Sequence, residues 1–157
     1  MAQYEFLTTW CVDAPIERVF AVVKDSAAYP EWWKGVTAVD VLEPGDANGV
    51  GERARYSWRS VLPYTLTFEG RVTRVEPPHL LEGHATGELE GVGVWHLFDG
   101  PGGTAVLYSW KVRTTKAWMN LLGPLPRPAF RWNHDLVMRQ GGAGLARRLG
   151  ASLLLSD

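Results

Sequence analysis

The sequence predicts a single α+β domain over residues 1–157, in which a strongly curved antiparallel sheet of about seven strands wraps around one long C-terminal helix. Three observations lead there. Residues 36–115 read almost entirely as short strands separated by turn signals. The longest helical pattern lies after them, at the end of the chain. Two short helices follow the first strand and leave no other helix to cover the sheet. One helix covers seven strands on one face only if the sheet curls around it, and that geometry leaves space between them.

Each element has a local reason. In residues 3–12, Tyr4, Phe6, Thr8, Trp10 and Val12 share one face at period two, the mark of a half-buried strand. Asp13 and Pro15 then supply a helix start, the aspartate as a cap and the proline in the first turn. Ile16, Val19, Phe20 and Val23 recur at helical spacing. A second short helix in SAAYPEWWKG is expected to be broken by Pro30 and closed by Gly35. Strands are expected over 36–44, 50–60, 63–76, 79–87, 88–98 and 104–115, with turns at GDANG, Pro77-Pro78 and DGPGG. Residues 116–128, with Pro124, Pro126 and Pro128, form a rigid lead-in. From Ala129 to Leu155 the pattern is helical, with Phe130, His134, Val137, Met138, Gly141, Leu145 and Leu149 on one stripe and Arg148 on it near the end. Gly141 on that stripe would let helix and sheet approach closely.

Composition narrows the function classes. With 16 basic and 17 acidic residues, net charge is -1, which gives no electrostatic reason for a nucleic-acid or acidic-membrane partner. The single cysteine, Cys11, excludes an internal disulfide and a cysteine-built zinc site, and a reducing cytoplasm is the simplest setting. The N-terminal stretch has neither the basic nor the long apolar region of a signal peptide, and no apolar run is long enough to span a bilayer, so no stable membrane insertion is expected. The four histidines show no metal spacing, and no phosphate-cradling glycine loop precedes a helix, so no metal or cofactor is expected. Eight tryptophans, five tyrosines and five phenylalanines stand out, and such side chains must line either a core or a cavity.

Strand parity places them. Ala54, Tyr56 and Trp58 share a face opposite Arg53, Arg55 and Arg59. Tyr64, Leu66, Phe68, Gly70 and Val72 share another. Gly91, Gly93, Trp95 and Leu97 form a third and Val106, Tyr108, Trp110 and Val112 a fourth. Small residues at Gly83, Ala85 and Gly87 would leave room beside them. Each aromatic taken alone reads as well as core packing, but inward tyrosines Tyr56, Tyr64 and Tyr108 require partners for their hydroxyls: water, a polar network or a ligand. His134 sits at the centre of the helical stripe, with Asn133 at its edge. Two readings stand for it, a core histidine bonded to a sheet residue or a general acid/base in a pocket.

The stretches VDAPIERVFAVVKDSAAYPEWWKGV, RVTRVEPPHLLEG, GVGVWHLF with GGTAVLYSWKV, and FRWNHDLVMRQGGAGLARRLG, in that order, resemble the START-related, birch-pollen-allergen-like (SRPBCC) superfamily, and within it the bacterial polyketide cyclase/dehydrase-like branch. The resemblance implies a helix-grip fold and a pocket opening near Trp32 and Trp33. Its candidate ligand contacts here are Trp33, Tyr56, Trp58, Tyr64, Phe68, Trp95, Tyr108, Trp110, Asn133, His134 and Met138, with His134 the candidate catalytic group. Cyclases of the superfamily tend to use an inward strand arginine. Arg74 is the parity-compatible one, beside a Pro-Pro strand end where a bulge would turn it outward. Glu52 and Glu88 are expected at strand ends in solvent. Three functions follow: binding of a small hydrophobic, aromatic or lipid-like molecule; cyclisation or dehydration of a polyketide-type substrate; or a protein-interaction module, such as those of this fold that assist chaperones or assemble quinones. The first two require a cavity of at least a few hundred Å³. The chain is expected to act as a monomer or homodimer.

Overall fold

The computed structural model describes residues 3–59, 65–114 and 126–157. Tyr64 and the side chain of Phe130 lie outside the described residues. The chain runs β1 (Gln3–Val12), α1 (Ile16–Lys24), a 3₁₀ turn (Ser26–Ala28), α2 (Tyr29–Trp32), β2 (Val36–Glu43), β3 (Arg53–Trp58), β4 (Leu66–Glu76), β5 (Leu80–Gly87), β6 (Leu89–Gly100), β7 (Gly103–Thr114), α3 (Pro126–Leu149) and β8 (Leu153–Ser156). All eight strands form one antiparallel sheet in the order β2-β3-β4-β5-β6-β7-β1-β8, with β1 set beside β7 across ten paired positions from Gln3↔Arg113 to Val12↔Thr104. This is the helix-grip arrangement, a curved sheet closed by its C-terminal helix.

Parity on β1 is as the sequence requires: Tyr4, Phe6, Thr8, Trp10 and Val12 are all buried. Several local expectations are corrected. Asp13 does not cap α1. Pro15 occupies the cap position with no side-chain bond, and the Asp13 backbone N–H instead donates to Ser152 O at 3.0 Å. Pro30 does not break the second helix but sits in its first turn, where a missing N–H costs nothing. Likewise α3 begins at Pro126, inside the segment read as a lead-in, because prolines in a first helical turn are tolerated.

The C-terminal helix also ends sooner than the apolar run suggests. Gly150 takes φ +63°, its N–H bonds Arg147 O at 3.1 Å, and Ala151 N–H bonds Ala146 O at 2.9 Å. That pair of bonds is a Schellman stop. The chain then adds Leu153–Ser156 to the free edge of β1, an eighth strand in a stretch whose sequence reads as the end of the helix. A short apolar run cannot be told from a helix tail by periodicity. Arg148, beside the stop, is exposed and pairs with Glu31 at 3.1 Å.

The close approach of α3 is made by glycines, and its counterpart is α2 and β1 rather than bare sheet. A Cβ on Gly141 would fall 2.5 Å from the Trp33 ring, and one on Gly142 would fall 2.9 Å from the Trp10 ring. A Cβ on Gly144 would collide with the Trp32 backbone carbonyl. With that face bare, the Trp33 indole N–H reaches Val137 O at 2.9 Å, and Trp33 is 1% exposed. A buried indole N–H without a partner would cost about 1–3 kcal/mol. Trp10, Trp32, Trp58 and Trp95 pack around Trp33 with ring centroids 5.0–6.0 Å away.

Alanine at a helical glycine ordinarily stabilises by about 1 kcal/mol. Here the rigid indole cannot yield without losing its hydrogen bond, so Gly141→Ala is expected to destabilise by about 2–3 kcal/mol in chemical denaturation. Gly102→Ala, whose Cβ meets nothing within 4 Å, is the control and should stay within about 0.5 kcal/mol of the parent.

Candidate functional site

Cross-strand register lays small residues in a band across the inner face of the sheet. Gly70 pairs with Ala85 and Ala85 with Gly91, while Gly83 pairs with Gly93. Aromatic rings lie over this band. A Cβ on Gly70 would meet the Tyr56 ring at 2.8 Å, and one on Gly93 would meet the Tyr108 hydroxyl at 2.5 Å and the Trp110 ring at 2.9 Å. These glycines seat rings rather than leave a void. Gly83, whose Cβ would meet only Arg71 O at 3.5 Å, stays open toward the interior together with Ala85. Gly87 has turned away: it has φ +111°, is exposed, and lines no interior space.

The seated rings form a continuous wall. Tyr56 stacks on Phe68 at 5.5 Å and Phe68 meets Trp110 at 5.8 Å. Trp110 lies 6.0 Å from Tyr108, which stacks on Trp95 at 4.1 Å. The wall divides the interior into two chambers of about 100 and 90 Å³, with Trp58, Phe68, Tyr108 and Trp110 lining both. Among the described residues the single space of a few hundred Å³ anticipated from the sequence is therefore not present; the rings expected to line it occupy much of it. The first chamber is completed by Val23, Ser26, Tyr29, Trp33, Tyr56, Leu81, Gly83, Ala85 and Trp95, with Lys24, Arg71, Glu82 and His84 also on its boundary. The second is completed by Leu66, Leu89, Asn133, His134, Val137, Met138 and exposed Arg59.

Ten of the eleven candidate contacts thus line one chamber or both, and the eleventh, Tyr64, lies outside the described residues. Arg74 does not. The register shift between Val72 and Arg74 turns it outward, where it pairs with Glu76 and is 58% exposed. Glu52 and Glu88 are not left to solvent. Glu52 accepts from the Ser26 hydroxyl at 3.0 Å and Glu88 from the Thr67 backbone N–H at 2.7 Å. Sequence reasoning misses Ser26, Tyr29, Leu81 and Leu89. Ser26 and Tyr29 sit in short helices with too few residues for a periodic signal. Leu81 shares its strand's inward parity with Gly83 and Ala85 and could have been found that way.

His134 is mostly buried, its side chain 12% exposed, and stacks face to face on Phe6, ring centroids 3.7 Å apart, while the Arg131 guanidinium lies 5.4 Å from the Phe6 ring. It is not the sheet-bonded core histidine that one reading anticipated: among the described residues neither ring nitrogen has a hydrogen-bond partner. The Asp135 carboxylate is 3.7 Å from Nδ1, beyond hydrogen-bonding length, and is 66% exposed. Burial lowers the His134 pKa to about 4, Arg131 pushes the same way, and Asp135 opposes them. The imidazole is therefore neutral at neutral pH. Burial likewise raises Tyr56 and Tyr108, which stay protonated. Eight buried side-chain polar atoms lack a partner among the described residues, and four of them belong to three residues of the second chamber: Trp58 Nε1, Asn133 Oδ1 and both nitrogens of His134. No group of three histidine, cysteine or acidic side chains that could hold a metal occurs among the described residues.

Against known proteins, residues 5–150 match the family described as polyketide cyclase / dehydrase and lipid transport. The chain belongs to that family. The di-domain aromatase/cyclase BexL from the BE-7585A biosynthetic pathway superposes with a TM-score of 0.75 at 22% identity, covering 96% of this chain and 51% of BexL, so the chain spans about half of that protein's length. The Zhui aromatase/cyclase from Streptomyces sp. R1128 gives 0.75 at 16% identity, covering 95% and 94% of the two chains. TTHA0849 from Thermus thermophilus gives 0.69 at 17%, covering 94% and 97%. At these identities the likeness establishes the fold. No curated protein matches the sequence. Among the described residues no helix is long and apolar enough to cross a membrane.

The lowered pKa of His134 gives a pH dependence with a definite sign. Between about pH 6.5 and about 4 the unfolded chain carries a proton on this histidine that the folded chain does not, so stability falls as pH drops through that window. His134→Phe should flatten this part of the profile, read as denaturation midpoint against pH.

Proposed function

We propose that this family member binds a small, planar, largely hydrophobic molecule in its aromatic interior, with polar contacts from Trp58, Asn133 and His134. The observation that carries this reading is the cluster of unpartnered buried atoms in the second chamber. Each such atom costs about 1–3 kcal/mol while unpaired. Four in one small, mostly apolar space form a pattern that a ligand offering both donors and acceptors would repair. Neutral His134 supplies one donor and one acceptor nitrogen, and among the described residues no hydrogen bond fixes which is which. The indole of Trp58 adds a donor and the Asn133 amide oxygen an acceptor.

The size of the chambers bounds the ligand. Cavities near 150 Å³ accept a single benzene-sized ring, and chambers of about 100 and 90 Å³ are each smaller than that, so even one ring requires the lining side chains to give way. A larger molecule requires the shared wall of Trp58, Phe68, Tyr108 and Trp110 to swing aside and merge the two. Binding is also the reading that the electrostatics support over catalysis. A general base works best with its pKa near the operating pH, and burial holds His134 well below it. The catalytic alternative, in which His134 and a tyrosine move protons during cyclisation or dehydration, draws on the cyclase neighbours and requires a bound substrate to raise the His134 pKa.

His134→Phe separates a binding role from a packing role. Removing two unpartnered nitrogens while keeping the stacked ring should raise stability at pH 7 by about 1 kcal/mol or more. The same change should reduce the amount of small molecule that native mass spectrometry finds on protein purified from its own host. Parent protein that carries no small molecule under those conditions would count against the reading.

A further inference from the structure

A neutral imidazole carries one proton for two nitrogens, and the nitrogen left bare is an acceptor. In His134 electrostatics decides between them, because among the described residues neither nitrogen has a hydrogen-bond partner. Asp135, the next residue of α3, brings its Oδ1 to 3.7 Å from His134 Nδ1. That is too long for a hydrogen bond but close for a full negative charge. The field of the carboxylate favours an N–H pointing toward it and opposes a lone pair in the same place. The ring is held in this orientation by its stack on Phe6, with centroids 3.7 Å apart and planes 16° from parallel. Asp135 is 66% exposed and does not line the chamber, so it acts on the imidazole from outside.

We infer that Asp135 holds the His134 proton on Nδ1 and leaves Nε2 as a bare acceptor toward the second chamber, which then selects a small ring bearing an N–H or O–H donor over an ether of the same size. The inference rests on the ligand-binding reading above and adds a polarity to it. His134 is the contact; Asp135 is a positioning residue that acts through it. Asn133 Oδ1 is a second unpartnered acceptor of this chamber, and the Trp58 indole N–H its one unpartnered donor. A ring that brings a donor therefore satisfies a buried lone pair. An ether oxygen of the same size finds only Trp58 and leaves both acceptors bare.

The test has two arms on the whole chain at pH 7. Long-range proton–nitrogen correlation spectra of isotope-labelled protein report which imidazole nitrogen is protonated, with the His134 signals identified by their loss in His134→Phe. The parent should carry the proton on Nδ1 by about tenfold or more, and Asp135→Ala should move a large share of it to Nε2. The second arm titrates pyrrole and furan, five-membered rings of nearly equal size of which only pyrrole has an N–H. The parent should bind pyrrole about tenfold more tightly, and in Asp135→Ala, where Nε2–H can donate to furan, the ratio should fall to about threefold or less. A merely structural role for Asp135 would weaken both probes together and leave ratio and tautomer unchanged, which overturns the inference. A parent proton on Nε2, or equal binding of the two probes to the parent, overturns it as well and leaves the ligand-binding reading standing. Binding of neither probe to the parent counts against that reading and the selectivity with it, while the spectra still decide the tautomer.

Discussion

The rest of the structure depends on how an indole is held against a helix with no side chains in the way. Trp33 can donate to Val137 O because Gly141 presents bare backbone, and the flanking Gly142 and Gly144 admit Trp10 and the backbone of Trp32 in the same manner. Glycine weakens a helix, by about 1 kcal/mol at each position relative to alanine. That weakness is offset by the close packing of two large rings and a backbone segment and by one buried hydrogen bond. Once α2 is fixed to α3 in this way, the open end of the curled sheet is closed and both chambers acquire their boundaries.

The same device appears again on the sheet, with the partners exchanged. There the glycines belong to strands, and the rings that lie across them belong to the same sheet: Tyr56 over Gly70, and Tyr108 with Trp110 over Gly93. Laid flat rather than standing upright, these rings occupy the volume that an aromatic count alone assigns to a cavity. The result is an interior divided by aromatic rings into two small chambers.

Much of this was legible in the sequence. Period-two burial on β1, the inward parity of Tyr56, Phe68, Trp95, Tyr108 and Trp110, and the place of His134 on its helix all follow from backbone geometry, and the structure agrees. What could not be read was whatever depends on a neighbour distant in sequence. Parity says that Gly93 faces inward but not that Trp110, on the adjacent strand, lies over it. The outward turn of Arg74 depends on a one-residue slip against β5, and the interior role of Ser26 depends on Glu52 arriving from the far side of β2. The eighth strand was hidden because three consecutive leucines satisfy a helix and a strand equally.

The neutrality of His134 has a consequence for what can enter. Burial keeps the imidazole unprotonated and keeps the phenols of Tyr56 and Tyr108 protonated, so none of the three supplies a countercharge. Among the described residues the one ionic side chain at the second chamber, Arg59, is exposed. In the second chamber an ionised group would leave its hydration behind with no buried opposite charge beside it among the described residues, at a cost of several kcal/mol. On the binding reading proposed above, the second chamber would sort solutes by ionisation. A weak acid or base would then enter as its uncharged form, with solution pH governing occupancy through the guest's own titration as well as the protein's.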